Sequence, residues 1–236
     1  MEIITTIDKI LLTTHIIAGF VSLVLFWLPI LVKKGGKLHI KIGWVYTYTM
    51  WFVVISSGLL SIINVIEGAY YVSLFLGFLA AITAMPLWYG ISVLKYKRQA
   101  PPRNFYNRRR YLALGIVILG AINVAYALVS RFADGTMLLF LFGMLGITDI
   151  KKVLTSYDRY LETIDPLAEH IAGMLITGIA AYTAFFAFGG RTWFASILPG
   201  QLSIIPWVAP TVLGVIAIRW YTRKWTKKPK TAKSGS

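Results

Sequence analysis

Three histidines and no cysteine stand in a chain of 236 residues, and two of the three, His39 and His170, share an expected depth with Asp149. His39 follows the Gly35-Gly36 turn between the first two apolar stretches, and Asp149 closes the fifth. His170 lies four residues past Pro166 at the start of the sixth, roughly 6 Å along a helix at about 1.5 Å per residue. Two imidazoles and one carboxylate at a common level suit a zinc ion with an open coordination position or, less well, a non-haem iron. His39, Asp149 and His170 are therefore the candidate metal ligands, and Tyr46, seven residues beyond His39 on nearly the same helical face, can lend a hydroxyl. A plainer reading stands beside this one. His39 serves as a loop histidine near lipid phosphates, Asp149 pairs with Lys152 at i+3, and His170 donates to a carbonyl of a neighbouring helix.

His15 belongs to a different level. It falls six residues past Lys9, roughly 9 Å inside the opposite boundary, and aligns with Gly19 and Ser22 on a small-residue face that should pack against another helix. A hydrogen bond to Asn64, Asn123 or Tyr126 is the plain expectation, and a proton step or an outer ligand the sharper one. The sixth segment repeats the design with His170, Gly173, Thr177, Ala181 and Ala184. Without cysteine there is no disulfide, thiolate zinc site, iron–sulfur cluster or haem attached through Cys-x-x-Cys-His. No nucleophile triad, His-Glu-x-x-His, phosphate-binding loop or coenzyme fingerprint occurs, so no motif assigns an enzyme activity.

The elements that must position these residues are apolar and long. Hydrophobic residues make up 57% of the chain, charged residues only 14%, and mean hydropathy is +0.69, which departs from the roughly 45–50% and 25% of soluble proteins and marks a membrane protein. Seven segments can be drawn, at 10–32, 42–66, 71–94, 111–131, 136–150, 167–188 and 203–221; the fifth is short, and the seventh contains Pro206 and Pro210. The first begins behind Glu2 and Asp8 rather than a basic stretch and reads as an uncleaved span, not a secretory signal.

The loops set the orientation. Stretches 33–41, 95–110, 151–166 and the tail from Arg219 hold 21 of the 24 Lys and Arg residues, and the opposite loops hold only Lys9, Arg131 and Arg191. Strict alternation across seven spans gives an outside N-terminus and a cytoplasmic C-terminus. The net charge of +15 then reflects orientation and contact with lipid headgroups, not nucleic acid. Lys95 to Arg110, with Pro101-Pro102 and Arg108-Arg109-Arg110, reads as a solvated basic loop. Asp165-Pro166 reads as a helix start with Glu169 in its first turn, loop 189–202 as turns, and residues 223–236 as a basic disordered tail.

The order of short motifs resembles a family of bacterial multi-pass proteins described only as a predicted membrane protein, a domain of unknown function. The motifs are His15 with Gly19, the run Gly35-Gly36-Lys37-Leu38-His39 leading into Ile42-Gly43-Trp44-Val45-Tyr46, and His170 to Met174 followed by Thr183-Ala184-Phe185. The resemblance spans residues 11 to 188 or so. The resemblance implies shared polar positions at His15, His39, Asp149 and His170 and a bacterial inner-membrane location, and it carries no activity. Ile40 and Ile171-Ala172 replace basic residues common in the family.

The expectation is thus an all-α, polytopic bundle of seven transmembrane helices over residues 1–222. Its inner-face His/Asp site binds a metal, zinc before iron, and acts on or senses a membrane-soluble molecule; membrane lipids and a small lipophilic ligand are its partners. Alternatives are a small proton-linked transporter running from His15 to the inner cluster, a haem-binding redox protein with His39 and His170 as axial ligands, and a non-catalytic scaffold.

Overall fold

A computed structural model describes residues 2–133, 136–186 and 205–225, and among them there is helix and no strand. Hydrocarbon offers no partner to a backbone N–H or C=O, so an apolar run of this length closes its hydrogen bonds within itself as a helix. In chain order the helices are α1 (Glu2–Leu31), α2 (Lys37–Ile66), α3 (Tyr70–Ser92, tightening into a 3-10 turn at Val93–Tyr96), α4 (Arg103–Val129), α5 (Met137–Ile147), α6 (Ile150–Leu154), α7 (Tyr157–Thr163), α8 (Pro166–Ala184) and α9 (Ile205–Trp225).

Among the described residues five of these are long and apolar enough to cross a membrane: α1, α2, α3 with its 3-10 extension, α4 and α8. The two remaining segments of the seven drawn from sequence fall short for different reasons. Helix α5 has 11 residues and rises only about 16 Å, half of a hydrocarbon core about 30 Å thick; the chain then turns at Thr148-Asp149 before α6. Helix α9 has 21 residues, and Pro206, Pro210 and Arg219 dilute its apolar run.

Boundaries move in two informative places. Helix α4 begins at Arg103, directly after Pro102 at its N-cap, so Arg108-Arg109-Arg110 is helical and not a loop. Helix α2 begins at Lys37, which puts His39 in its first turn. The hinge between α1 and α2 turns on Gly35, at φ 72°, a left-handed conformation that a side chain would strain. The Asp165 carboxylate caps α8 as expected, accepting from the Leu167 and Ala168 amides at 2.9 and 3.0 Å. Loop 189–202 and the tail beyond Trp225 lie outside the described residues.

Helices pack in the sequence α1, α2, α3, α8, α9, with α4 on the far side of α3 and α5 and α6 against α4. Helix α3 is the centre: half of its apolar run is buried, against 11% for α1, whose exposed face is an apolar run including Ile17, Val24 and Leu31. The α3–α8 crossing is close because Gly90 and Gly173 face each other. A Cβ on Gly173 would stand 2.7 Å from the Pro86 carbonyl and 3.0 Å from the Gly90 Cα. The hinge and the end of α9 lie on one side, since the Lys34 ammonium is held below the usual lysine range first by partial burial and then by the charge of Lys224.

Candidate functional site

At the end of the bundle that carries the Gly35 hinge, the first helix turn of α2 and the first turns of α8 bring His39 and His170 together, with ring centroids 6.5 Å apart and planes at 72°. Each ring has one nitrogen fixed by a helix end. His39 Nδ1 lies 3.0 Å from the Pro29 carbonyl in the last turn of α1, which also takes Lys34 Nζ, and the neighbouring Ile30 carbonyl takes Lys34 as well. His170 Nδ1 lies 2.8 Å from the Gly90 carbonyl, where α3 tightens into its 3-10 turn. A carbonyl can only accept, so Nδ1 carries the proton in both rings. These contacts satisfy carbonyls that a helix terminus leaves without partners.

Asp149 does not complete the set. Its carboxylate takes Lys152 Nζ at 2.6 Å, the i+3 pairing that is the plain alternative for this residue. Among the described residues no group of three or more His, Asp or Glu could hold a metal ion, and two imidazoles alone do not make the four-coordinate zinc centre drawn from sequence. The arrangement therefore does not support metal binding at His39, Asp149 and His170. Tyr46 does not reach this level either: its hydroxyl pairs with Thr177 Oγ1 at 2.8 Å in a buried contact.

Beside the histidine pair is a cluster that the sequence did not reveal. Arg109 is 8% exposed and lies between the rings of Tyr89 and Tyr160, 5.3 and 5.2 Å from their centroids, while the two phenols join at 3.1 Å. Its Nε and Nη1 are buried without a hydrogen-bond acceptor, and the faces of the two rings take that role. The charges of Arg109 and Lys152 act on the Glu169 carboxylate. Arg109 escapes a reading by loop charge, yet it continues the buried stripe Phe105, Arg109, Ala113, Ile116 and Gly120 along α4, a helical spacing that runs straight through the basic block.

Toward the end of the bundle opposite the Gly35 hinge, α1, α2, α3 and α8 line an open cavity of about 450 Å³. Along α1 it runs from Asp8 to Leu23, about 22 Å at about 1.5 Å per residue. Its walls are apolar, with Leu12, Met50, Val54, Leu76, Leu79 and Phe185 among them, and its polar groups are few: His15, Ser22, Ser57, Asn64 and Thr83, with Asp8 and Glu67 at the residues farthest from the histidine pair. His15 Nδ1 bonds Ser56 Oγ at 2.8 Å, not Asn64, Asn123 or Tyr126. The expected partners fail for separate reasons. Asn64 spends an amide hydrogen on the Leu60 carbonyl of its own helix at 2.8 Å. Asn123 is buried on α4, on the opposite side of α3, beside Gly143, with its Nδ2 unpaired.

Between the two levels lies an apolar layer, with Tyr46, Met50 and Leu87 buried and Phe26, Trp51 and Met174 packed against them. His15 is separated from Pro29, and so from His39, by roughly 20 Å along α1. The protein is thus an all-helical molecule with several apolar helices compatible with a membrane protein, and among the described residues the cavity beside His15 is a candidate concave site. No known family, curated protein or solved structure matches the chain.

Proposed function

We propose that this is a multi-pass membrane protein that binds or senses a small membrane-soluble molecule in the cavity beside His15. The cavity carries this reading: about 450 Å³ falls in the range of small-molecule sites, roughly 300–1,000 Å³, and a mainly apolar wall with a few convergent polar groups is the composition of such sites. Transport between the two levels is disfavoured by the apolar layer around Met50 and Leu87, and a site at mid-depth, where carriers bind, would need polar groups there.

The bilayer assignment extends this reading. Seven crossings, with α5–α6 and α9 as the irregular two, put every basic stretch on the cytoplasmic side of a bacterial inner membrane and the cavity in the outer half. A reporter that works only in the cytoplasm, fused after Ser236, is expected to be active; an inactive fusion with an active external reporter at the same point reverses the orientation.

Gly19 provides the direct test of binding. It lines the cavity, and a Cβ there meets nothing within 4 Å, so Gly19→Leu adds side-chain volume at the cavity wall. Native mass spectrometry of protein released from bilayer discs should find a small non-protein mass on the wild type and none on Gly19→Leu. Equal occupancy in both, or none in the wild type, would remove the cavity reading.

A further inference from the structure

The cavity lining selects the chemistry of what it binds. Ser56 has one hydroxyl hydrogen, and two carbonyls of its own helix stand within its reach, Phe52 at 2.7 Å and Val53 at 3.1 Å. With that hydrogen on a carbonyl, the serine oxygen accepts in its 2.8 Å contact with His15 Nδ1, and Nδ1 donates. In a neutral imidazole the other nitrogen, Nε2, is then an acceptor. Ser56 fixes the tautomer of His15 although it is not itself a wall of the cavity.

The remaining polar groups point the same way. Ser22 donates to the Gly19 carbonyl at 2.7 Å, Ser57 to Leu76 at 3.2 Å and Thr83 to Leu79 at 2.7 Å. Each hydroxyl hydrogen is committed to a backbone carbonyl, which leaves only oxygen lone pairs facing inward. The carboxylates of Asp8 and Glu67 add acceptors, and Asn64, with one amide hydrogen used on Leu60, keeps the single spare donor among these side chains.

We infer that the occupant is a lipophilic hydroxyl compound: an apolar body whose O–H donates to His15 Nε2. This rests on the cavity reading above and adds the sign of the polar contact. A ligand offering only a carbonyl or ether oxygen would set acceptor against acceptor and leave the imidazole lone pair buried without a partner, an unfavourable arrangement in an apolar wall.

The test uses a matched pair of probes, 1-decanol and decyl methyl ether, titrated against protein in bilayer discs of fixed lipid composition, with occupancy read by native mass spectrometry. The wild type should prefer the alcohol by roughly 5- to 10-fold, the equivalent of one hydrogen bond. In His15→Leu the two probes should still bind and the preference should fall to about 1, because the nitrogen lone pair that favours the alcohol is gone. Gly19→Leu should exclude both, which separates cavity binding from partition into lipid. Equal binding of the two probes to the wild type, or a preference unchanged in His15→Leu, overturns the hydroxyl assignment and leaves the cavity reading intact. Neither probe binding the wild type overturns both.

Discussion

Replacing Gly173 with alanine tests the contact on which the placement of His170 depends. The new Cβ would stand 2.7 Å from the Pro86 carbonyl oxygen and 3.0 Å from the Gly90 Cα. Both are backbone atoms of a helix, so no flexible side chain can yield and α3 and α8 must part. Overpacking of this kind costs about 1–3 kcal/mol. Parting the helices also stretches the 2.8 Å contact of His170 with the Gly90 carbonyl, worth about 1 kcal/mol, while alanine in place of glycine returns about 1 kcal/mol of helix propensity. The sum is a net loss of about 1–3 kcal/mol. Gly115→Ala on α4 is the control, because a Cβ there meets nothing within 4 Å; it should be neutral or stabilising by up to about 1 kcal/mol. Equilibrium unfolding in mixed micelles, titrated with a denaturing detergent, reads both variants. If Gly173→Ala is as stable as Gly115→Ala, the close crossing is wrong and the placement of His170 against α3 falls with it.

Two further outcomes follow from the aromatic cluster. Arg109→Gln removes the cation held between Tyr89 and Tyr160 and should lower unfolding stability by about 2 kcal/mol; a loss below a few tenths in the same micelle titration would mean that Arg109 is solvated. Burial pushes the Tyr160 phenol above its usual range, more than its bond to Tyr89 and the charge of Arg109 lower it. The folded state therefore favours the protonated phenol, and that stabilisation is complete below about pH 10 and lost as pH rises past it. Unfolding midpoints should drop more steeply above about pH 10 in the wild type than in Tyr160→Phe, and parallel curves would contradict the burial argument.

Sequence alone was enough for the helical class and for several local contacts. Asp165 before Pro166 signals a helix start because both residue types act through the first turn, and the carboxylate indeed caps it. Asp149 and Lys152 are three apart on one chain segment, so their pairing needs no tertiary information. Contacts between helices behave differently. His15 has several polar residues at compatible depth, and only the crossing of α1 and α2 selects Ser56 over Asn64. Arg109 reads as solvated while Arg108-Arg109-Arg110 is treated as a loop, and becomes a core residue once α4 is extended back to Arg103. The cavity has no linear signature at all, since three consecutive helices and the distant α8 contribute to its wall.

The position of α3 has a consequence for biosynthesis. Its partner α8 leaves the ribosome only after α4 to α7 have been made, so the surface around Pro86 and Gly90 spends that interval without its final neighbour. Assembly must therefore finish out of chain order, with α8 returning to a helix made long before it. A nascent chain that stops ahead of Pro166 leaves that groove uncovered.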